Sequence, residues 1–343
     1  MTLTLKKLKD QVIVITGATS GIGLVTARMA ASKGAKLVLV GRNVEALQQL
    51  TNEIKRKGGY AVYVQADVGS EAEVNHVAEV AIRTYGTFDT WVNNAGVSIF
   101  GNCLEVSIEH MKRLFDTNFW GVVYGSRVAA MHYKQRKAAG TIVNVESFFA
   151  DRSSVVQSTY SVSKQALHGW TDALRMELEK DKAPVSVCLI HSSRVEVPHK
   201  EHTTSHSAYK ALPGGHIYAP EAVADAILHC AEHPKPDMYV GAQSKVIEVL
   251  GKLAPRLIDR LVEKVMYPTQ TSRRSSHEVQ DHTVLQERST HKKLIRKQHY
   301  DSKASKPLLT TLLVAGIGAG MYLLSQKKKD TNLLASGKRL DRI

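Results

Sequence analysis

The sequence predicts an α/β protein with a doubly wound parallel sheet of about seven strands and helices on both faces. Short runs of apolar, often β-branched residues recur along the chain, as in strands that are covered on both faces. Stretches with helical spacing of apolar residues separate these runs. A glycine-rich turn joins the first run to the first helical stretch, and glycine permits the tight connection that such a fold requires.

The expected strands share a nearly continuous apolar character, and they cover residues 12–17, 36–42, 61–68, 89–96, 140–147 and 185–190, with a seventh at 237–242. The expected helices alternate with them, at 22–33, 43–57, 70–85, 107–136, 158–180 and 220–234. This alternation favours a doubly wound parallel sheet over a segregated α+β arrangement. Two amphipathic segments follow within 246–266, and for these we expect packing in a homo-oligomer, with a membrane surface as the alternative.

Composition divides the chain of 343 residues into four parts. Residues 1–267 have the apolar content of one large domain. Residues 268–306 are polar and basic, which predicts a linker.

The three cysteines (Cys103, Cys188 and Cys230) are far apart and odd in number, so neither a disulfide framework nor a zinc site is expected. The N-terminus lacks the apolar run of a signal peptide.

Residues 307–325 contain no charged side chain, and a helix of this length is about 28 Å long. They therefore predict a single transmembrane helix, followed by a basic tail at 326–343; a buried helix of the main domain is the alternative. Positive charges flank the segment on both sides, so charge alone does not choose its orientation. Gly316 and Gly320 form a G-x-x-x-G pattern that is compatible with helix pairing.

The basic linker at 268–306 is expected to lie on the cytoplasmic side, at anionic lipid rather than on nucleic acid. It has almost no aromatic side chains on which bases would stack. We expect no nucleic-acid partner.

The turn after the first strand reads TGATSGIG, residues 16–23, and predicts a phosphate site at a helix N-terminus. Free N–H groups there favour an anion, and the glycines let the backbone approach it closely. The residues expected to contact the cofactor phosphates are Gly17, Ser20, Gly21, Ile22 and Gly23. Arg42 follows the second strand where NAD-binding folds often place an acid, which favours NADP(H) over NAD(H).

Tyr160 and Lys164 are four residues apart in a predicted helix and therefore share a face. A nearby ammonium lowers the pKa of a phenol and makes it a usable general acid or base. The spacing alone is common on helix surfaces. Ser147 precedes the tyrosine by thirteen residues, at the end of a predicted strand.

These markers together resemble the short-chain dehydrogenase/reductase family over roughly residues 8–245. TGATSGIG (16–23), Asp67-Val68, NNAG (93–96), Ser147 and YSVSK (160–164) occur in the family's order, and Asn118 in DTNFWG matches its additional catalytic asparagine. The resemblance implies a Rossmann fold and an NADP(H)-dependent oxidoreductase.

The resemblance also implies roles for individual residues. Tyr160 would transfer the proton, Lys164 would hold the nicotinamide ribose and lower the tyrosine pKa, Ser147 would bind the substrate oxygen, and Asn118 would hold a water in a proton relay. Contacts to adenine, to the cleft and to the nicotinamide are implied for Asp67, Val68, Asn94, Ala95, Gly96 and Val195.

Two departures from the family pattern stand out. Glu146 precedes the catalytic serine where a second serine is frequent, and residues 191–198 (HSSRVEVP) lack the usual Pro-Gly and the threonine that follows it. The second departure predicts altered placement of the nicotinamide. Four histidines follow at 199, 202, 206 and 216, but no cysteine or acidic cluster accompanies them, so no metal site is expected.

These observations predict a single-pass membrane enzyme whose NADP(H)-dependent domain faces the cytoplasm. It would interconvert a small-molecule carbonyl and alcohol, and the span suggests a lipophilic substrate. The alternative is a non-catalytic or weakly active NADP(H)-binding scaffold tethered to the membrane.

Overall fold

The computed structural model of this chain describes residues 3–147, 153, 155–192, 203–205, 218–241 and 256. These residues all belong to the first of two units into which the chain divides, Met1–Thr290. The boundaries predicted after residues 267, 306 and 325 lie outside the described residues, as does the segment 307–325. No helix within the described ranges has the length and apolarity needed to cross a membrane.

Seven parallel strands form the central sheet, in the order β3-β2-β1-β4-β6-β7-β9. Their bounds are β1 Val12–Thr16, β2 Lys36–Gly41, β3 Tyr60–Gln65, β4 Thr90–Asn93, β6 Gly140–Ser147, β7 Val185–Ser192 and β9 Asp237–Val240. The predicted doubly wound sheet of about seven strands is therefore confirmed. The order reverses between β1 and β4, and open sheets of this kind bind ligands at the carboxyl ends of such strands.

Helices connect the strands, and a short 3-10 turn, Leu8–Asp10, precedes β1. The helices are α1 Gly21–Ser32, α2 Val44–Arg56, α3 Glu71–Tyr85, α4 Ile108–Phe115, α5 Gly121–Arg136, α6 Ser158–Lys180 and α7 Pro220–Glu232. Polar N-caps begin several of them: the side chain of Ser70 accepts from the Glu73 N–H, and that of Asn43 from the Ala46 N–H. Gly86 ends α3 at φ 77°, a left-handed conformation that suits glycine.

Both faces of the sheet are buried, which explains why the strands read as continuous apolar runs. Ile13 and Ile15 of β1 pack into one core with residues of α1, α2 and α7. Val12 and Val14, which alternate with them, pack into a second core with residues of α3 and α5. Each side of β1 therefore has its own helical layer, as a doubly wound sheet requires.

Two details were not predicted. The single helix expected over 107–136 is interrupted by a π-helical turn, Asp116–Trp120, between α4 and α5. Such turns occur often at functional sites. A separate two-stranded parallel sheet joins β5 (Ser98–Phe100) to β8 (Thr203–Ser205), and its pairing spans too many residues for sequence periodicity to reveal it.

Strands β6 and β7 form the longest pair in the sheet, in register from Gly140↔Val185 to Ser147↔Ser192. Ser147 and Ser192 therefore lie side by side at the carboxyl edge. This register brings the predicted catalytic serine next to the start of the segment that departs from the family pattern.

Candidate active site

A cleft of about 1190 Å³, including its open mouth, lies at the carboxyl edge of the sheet around the β1/β4 switch point. Most of the residues predicted from sequence line it: Gly17, Ser20, Gly21, Ile22, Arg42, Asp67, Val68, Asn94, Ala95, Gly96, Tyr160 and Lys164. Gly23, Asn118 and Ser147 stand behind or beside this lining. The structure therefore brings the phosphate turn and the predicted proton-transfer residues to one cleft.

The turn after β1 requires its glycines for two different reasons. Gly17 and Gly21 have φ values of +65° and +48°, in the left-handed region. A Cβ on Gly23 would lie 2.1 Å from the Gly17 carbonyl oxygen. The turn thus packs too tightly for side chains, and the N-terminus of α1 faces the cleft.

Thr16 and Asn94 join this turn to the end of β4. The Thr16 hydroxyl accepts from the backbone N–H groups of Asn94 (3.0 Å) and Ala95 (3.1 Å) and donates to the Val92 carbonyl (3.1 Å). The Asn94 amide donates to the Thr16 carbonyl at 2.9 Å. These bonds fix the NNAG segment against the glycine turn.

Ser147 ends β6, and Tyr160 lies in the first turn of α6. Their side chains share a hydrogen bond. The tyrosine ring packs beside a small apolar cluster that includes Val97 and Leu114. The phenol is therefore held at the cleft with the serine hydroxyl beside it.

Lys164 lies one turn after Tyr160 on α6, as the sequence spacing predicts, and its side chain is buried. Its ammonium donates to the Val145 carbonyl at 2.9 Å and stands 5.9 Å from the centre of the Tyr160 ring. The lysine is thus anchored to the strand that ends in Ser147.

The expected lowering of the Tyr160 pKa is wrong for this arrangement. Burial raises the pKa of Tyr160, its hydrogen bond with Ser147 lowers it in part, and the charge of Glu146 raises it further. Burial lowers the pKa of Lys164 to about 8, against the opposing effect of Glu146. The ammonium is directed at a carbonyl rather than at the phenol, so burial decides the direction.

Asn118 lies in the middle of the π-helical turn and is fully buried. Its amide oxygen accepts from the Val97 N–H at 2.8 Å, and its amide nitrogen donates to the Val97 carbonyl (2.9 Å) and to Ser163 Oγ (3.2 Å). Both amide hydrogens are therefore used. A water in the implied relay would therefore have to donate its hydrogen bond to an oxygen of Asn118. The Asn118 side chain itself links Val97 to Ser163 of α6.

Two residues at the adenine end of the cleft have additional partners. Arg113 forms an ion pair with the Asp67 carboxylate, which also accepts from the Gly69 N–H at 2.9 Å. Arg42 lines the cleft with Thr19 and Ser20, and its carbonyl accepts from the Gln65 side chain at 3.3 Å. Sequence reasoning identified Asp67 and Arg42 but missed Arg113, which is separated from Asp67 by 46 residues.

The segment that departs from the family pattern is described only as far as Ser192, whose hydroxyl donates to the Glu146 carbonyl at 2.6 Å. Val195 lies outside the described residues, as do the histidines at 199, 202, 206 and 216.

Sequence reasoning also missed a charged cluster behind Ser147. Glu146, His168 and His191 come together with their carboxylate and imidazole atoms within 4.8 Å of one another. Glu146, which departs from the family pattern, contacts His191, the residue directly before the altered segment. No local pattern could have found the cluster, because its members belong to β6, α6 and β7.

The family model for short chain dehydrogenases matches residues 11–208, which is more than half of the chain. The chain belongs to the short-chain dehydrogenase family. It is therefore an oxidoreductase of this type, and the recognition made from the sequence motifs is confirmed at that level.

Curated relatives agree with this assignment. The chain is 55% identical over 327 residues to the uncharacterized oxidoreductase YxnA of Bacillus subtilis (strain 168), across 92% of this chain and 91% of that protein. It is 28% identical to the ketoacyl reductase HetN of Nostoc sp. (strain PCC 7120), across 82% of this chain and 98% of that protein.

A solved structure supports the fold. A short chain dehydrogenase/reductase from Burkholderia phymatum, crystallised in complex with NAD, superposes with a TM-score of 0.66 at 24% identity. The match covers 75% of this chain and 97% of that chain.

Proposed function

We propose that this short-chain dehydrogenase interconverts a carbonyl and an alcohol with NADP(H), and that residues 307–325 attach it to a membrane. The observation that carries the reaction is the joining of Ser147, Tyr160 and Lys164 at the cleft that the glycine turn also lines. Nearby proton-transfer and anion-binding groups are what a hydride-transfer enzyme requires from its protein.

The cleft fits a dinucleotide. The helix N-terminus at Gly21 faces it, and the turn packs against the NNAG segment so closely that a Cβ on Gly17 or Gly23 would meet neighbouring protein atoms. The turn would hold the phosphates, Asp67 and Val68 would lie at the adenine end, and Lys164 would contact the ribose beside the nicotinamide. A bound nicotinamide supplies or accepts the hydride.

The proton is handled by the chain's own side chains. Because the pKa of Tyr160 is raised, the phenol is protonated at neutral pH and is a proton donor to a substrate oxygen. Ser147 provides a second hydroxyl at the same place, where it hydrogen-bonds that oxygen and stabilises developing negative charge. The buried ammonium of Lys164 lies one helical turn behind, where it stabilises a phenolate after proton transfer.

Arg42 supports a preference for NADP(H). It lines the cleft after β2 together with Thr19 and Ser20, and no acid occupies this end of the strand in position 41 or 42. A guanidinium suits a 2′-phosphate, whereas a carboxylate there would repel it. Arg42→Ala should raise the KM for NADPH about tenfold and leave the KM for NADH nearly unchanged. An equal rise in the KM values for NADPH and NADH would contradict a role of Arg42 in preferring NADP(H).

The membrane part of the proposal is supported by the uncharged segment 307–325 and its basic flanks. The similarity to YxnA covers 92% of the chain. Because residues 1–267 make up a smaller share than this of the 343 residues, the aligned region includes part of residues 268–343. Full-length protein should sediment with membranes, and deletion of 307–325 should release it. A cytoplasm-facing catalytic domain and a lipophilic substrate belong to the same proposal.

The substrate class is tested with the purified full-length chain in mild detergent. NADPH oxidation should be measured across a panel of carbonyl compounds of increasing chain length, with NADPH affinity measured separately. Turnover that rises with chain length supports the proposal. Tight NADPH binding without turnover of any carbonyl or alcohol would favour the tethered, non-catalytic scaffold instead.

A further inference from the structure

The charged cluster behind Ser147 joins three elements of the active-site scaffold. Glu146 Oε1 lies 3.0 Å from His168 Nδ1, and Glu146 Oε2 lies 2.8 Å from His191 Nδ1. The Glu146 side chain is completely buried, that of His191 is 1% exposed and that of His168 is 29% exposed. The cluster is thus internal, with one edge that opens to solvent at His168.

One oxygen of this buried carboxylate is poorly satisfied. Glu146 Oε2 receives no hydrogen bond of normal geometry from the described residues, although His191 Nδ1 is within 2.8 Å. Buried carboxylate oxygens are nearly always hydrogen-bonded, and an exception requires an explanation such as a bound ion. Glu146 Oε2 and His191 Nδ1 are close enough for a hydrogen bond, but their relative direction is not that of an N–H···O bond.

Each imidazole also has an acid behind its other nitrogen. His191 Nε2 contacts Asp237 Oδ1 at 3.0 Å, and His168 Nε2 faces Asp172 Oδ2 at 3.6 Å. In metal sites a carboxylate at this place fixes the tautomer with its proton on the outer nitrogen. The 3.0 Å contact with Asp237 gives His191 this tautomer, which directs the lone pair of its Nδ1 at Glu146 Oε2. His168 Nδ1 makes its closer contact with Glu146 Oε1, at 3.0 Å.

A lone pair directed at a carboxylate repels it unless positive charge lies between them. Three carboxylates, on Glu146, Asp172 and Asp237, surround the two rings. Among the described neighbours, Arg175 is paired with Asp172 and the charge of Lys164 interacts with that of Glu146, which gives two positive charges. The third is either a proton on a ring or a bound cation, and the off-line contact at Glu146 Oε2 favours the cation.

We propose that Glu146, His168 and His191 bind one divalent transition-metal ion of the zinc type, on the opposite face of β6 from Ser147. Two imidazole nitrogens and a carboxylate are a common zinc ligand set. Bonds of about 2.0–2.2 Å in a tetrahedral site place ligand atoms about 3.3 Å apart, so the cluster opens by a few tenths of an ångström on binding. Solvent reaches the fourth position past His168.

The ion acts as a clamp and not as a catalyst. Successive strand residues point to opposite faces, so Glu146 is directed away from the side of β6 that Ser147 faces. The metal would fix β6 to α6 and β7, which carry Ser147, Lys164 and Ser192. It therefore holds the proton-transfer residues in register with the strand that leads to the nicotinamide segment.

The test needs no substrate. Full-length protein is stripped with a chelator, equilibrated with Zn²⁺ or Co²⁺ and dialysed, after which metal content, Co²⁺ visible absorption and calorimetric affinity are measured. One equivalent of metal per chain is expected in the wild type. His168→Gln and Glu146→Gln should weaken binding about 100-fold or more, and Asp237→Asn about 10-fold to 100-fold.

A second histidine pair in the chain provides a matched control. His229, in the last turn of α7 and partly buried, stacks on the exposed His233 that follows the helix, an arrangement that can bind metal adventitiously. The double change His229→Gln/His233→Gln should keep the bound equivalent and the Co²⁺ spectrum. His168 is partly exposed, so His168→Gln should fold, and its metal-free Tm should match that of the wild type closely.

The proposal is overturned if wild type and His168→Gln bind the same amount of metal with the same spectrum. It is also overturned if the wild type binds no metal at micromolar concentrations, in which case a protonated imidazole supplies the balancing charge and the cluster is an ion network.

Discussion

At the glycine turn, Thr16 and Asn94 join β1 to β4 through neutral hydrogen bonds between hydroxyl, amide and backbone groups. Behind Ser147, β6 and β7 are joined in addition by Glu146 and His191, both buried and both ionisable. The first region follows the family pattern, and the second departs from it. Neutral bonds tolerate burial at small cost, whereas each buried charge depends on its partner.

The contrast predicts different sensitivities to substitution. Removing a neutral partner leaves one unsatisfied group, but removing one member of a buried ion network leaves an uncompensated charge in a medium of low polarity. The region behind Ser147 should therefore be the more fragile of the two, although neither its strands nor its helices are unusual.

The largest expected effect is that of Glu146→Ala. It removes the acid between two imidazoles and should lower the free energy of unfolding by about 3–5 kcal/mol, as measured by urea denaturation in the presence of a chelator. Glu53→Ala is the matched control, because Glu53 pairs with Arg28 and Lys57 at the surface and should cost less than about 1 kcal/mol. Equal losses would show that burial does not make the ionic contacts of Glu146 more costly to remove than exposed ones.

The next effect is the pH dependence that Lys164 imposes. Its pKa is about 8 in the folded chain and 10.5 in a solvated lysine, so the unfolded state binds more protons between these values. The free energy of unfolding should therefore gain up to about 3 kcal/mol from this group as pH rises through 8 to 10.5, with little change below about pH 7.

Lys164→Met isolates that contribution. Unfolding of wild type and variant should be compared at pH 7.5, 8.5 and 9.5, where the difference between them should change with pH. A constant difference would mean that the lysine is not desolvated as its burial indicates.

A smaller effect is expected at the neutral region. Thr16→Val removes the hydroxyl that accepts from the Asn94 and Ala95 amides, and it should cost about 1–3 kcal/mol and weaken NADPH binding. Thr16→Ser keeps the hydroxyl and should cost less than half as much. A loss as large as that of Glu146→Ala would show that the two regions do not differ in kind.

The sequence was sufficient for the sheet, because strands covered on both faces carry a continuous apolar pattern. It was also sufficient for the glycine turn after β1, because Gly17 and Gly23 lie within a few residues of each other and their pattern is local. Tyr160 and Lys164 were found for the same reason: one helical turn is a local distance. Ser147 could be identified only through the family resemblance, because it lies at the end of a strand and its partner Tyr160 lies on a separate helix.

What sequence reasoning missed depends on long-range contact. The partners of Glu146 on α6 and β7 are 22 and 45 residues away, and Arg113 reaches Asp67 across the end of the sheet. The direction of the Tyr160 pKa was wrong because it depends on burial and on where the lysine donates, which spacing does not reveal. The sequence predicted which face of α6 carries Tyr160 and Lys164. It did not predict how far folding removes these two side chains from water.

The role of Tyr160 as proton donor is tested most directly by single-turnover NADPH oxidation with a carbonyl found active in the panel. Tyr160→Phe should slow the chemical step about 10²–10⁴-fold with NADPH affinity unchanged within about threefold, whereas Tyr124→Phe, on α5, should leave the rate unchanged. A Tyr160→Phe enzyme that turns over at the wild-type rate would contradict the account.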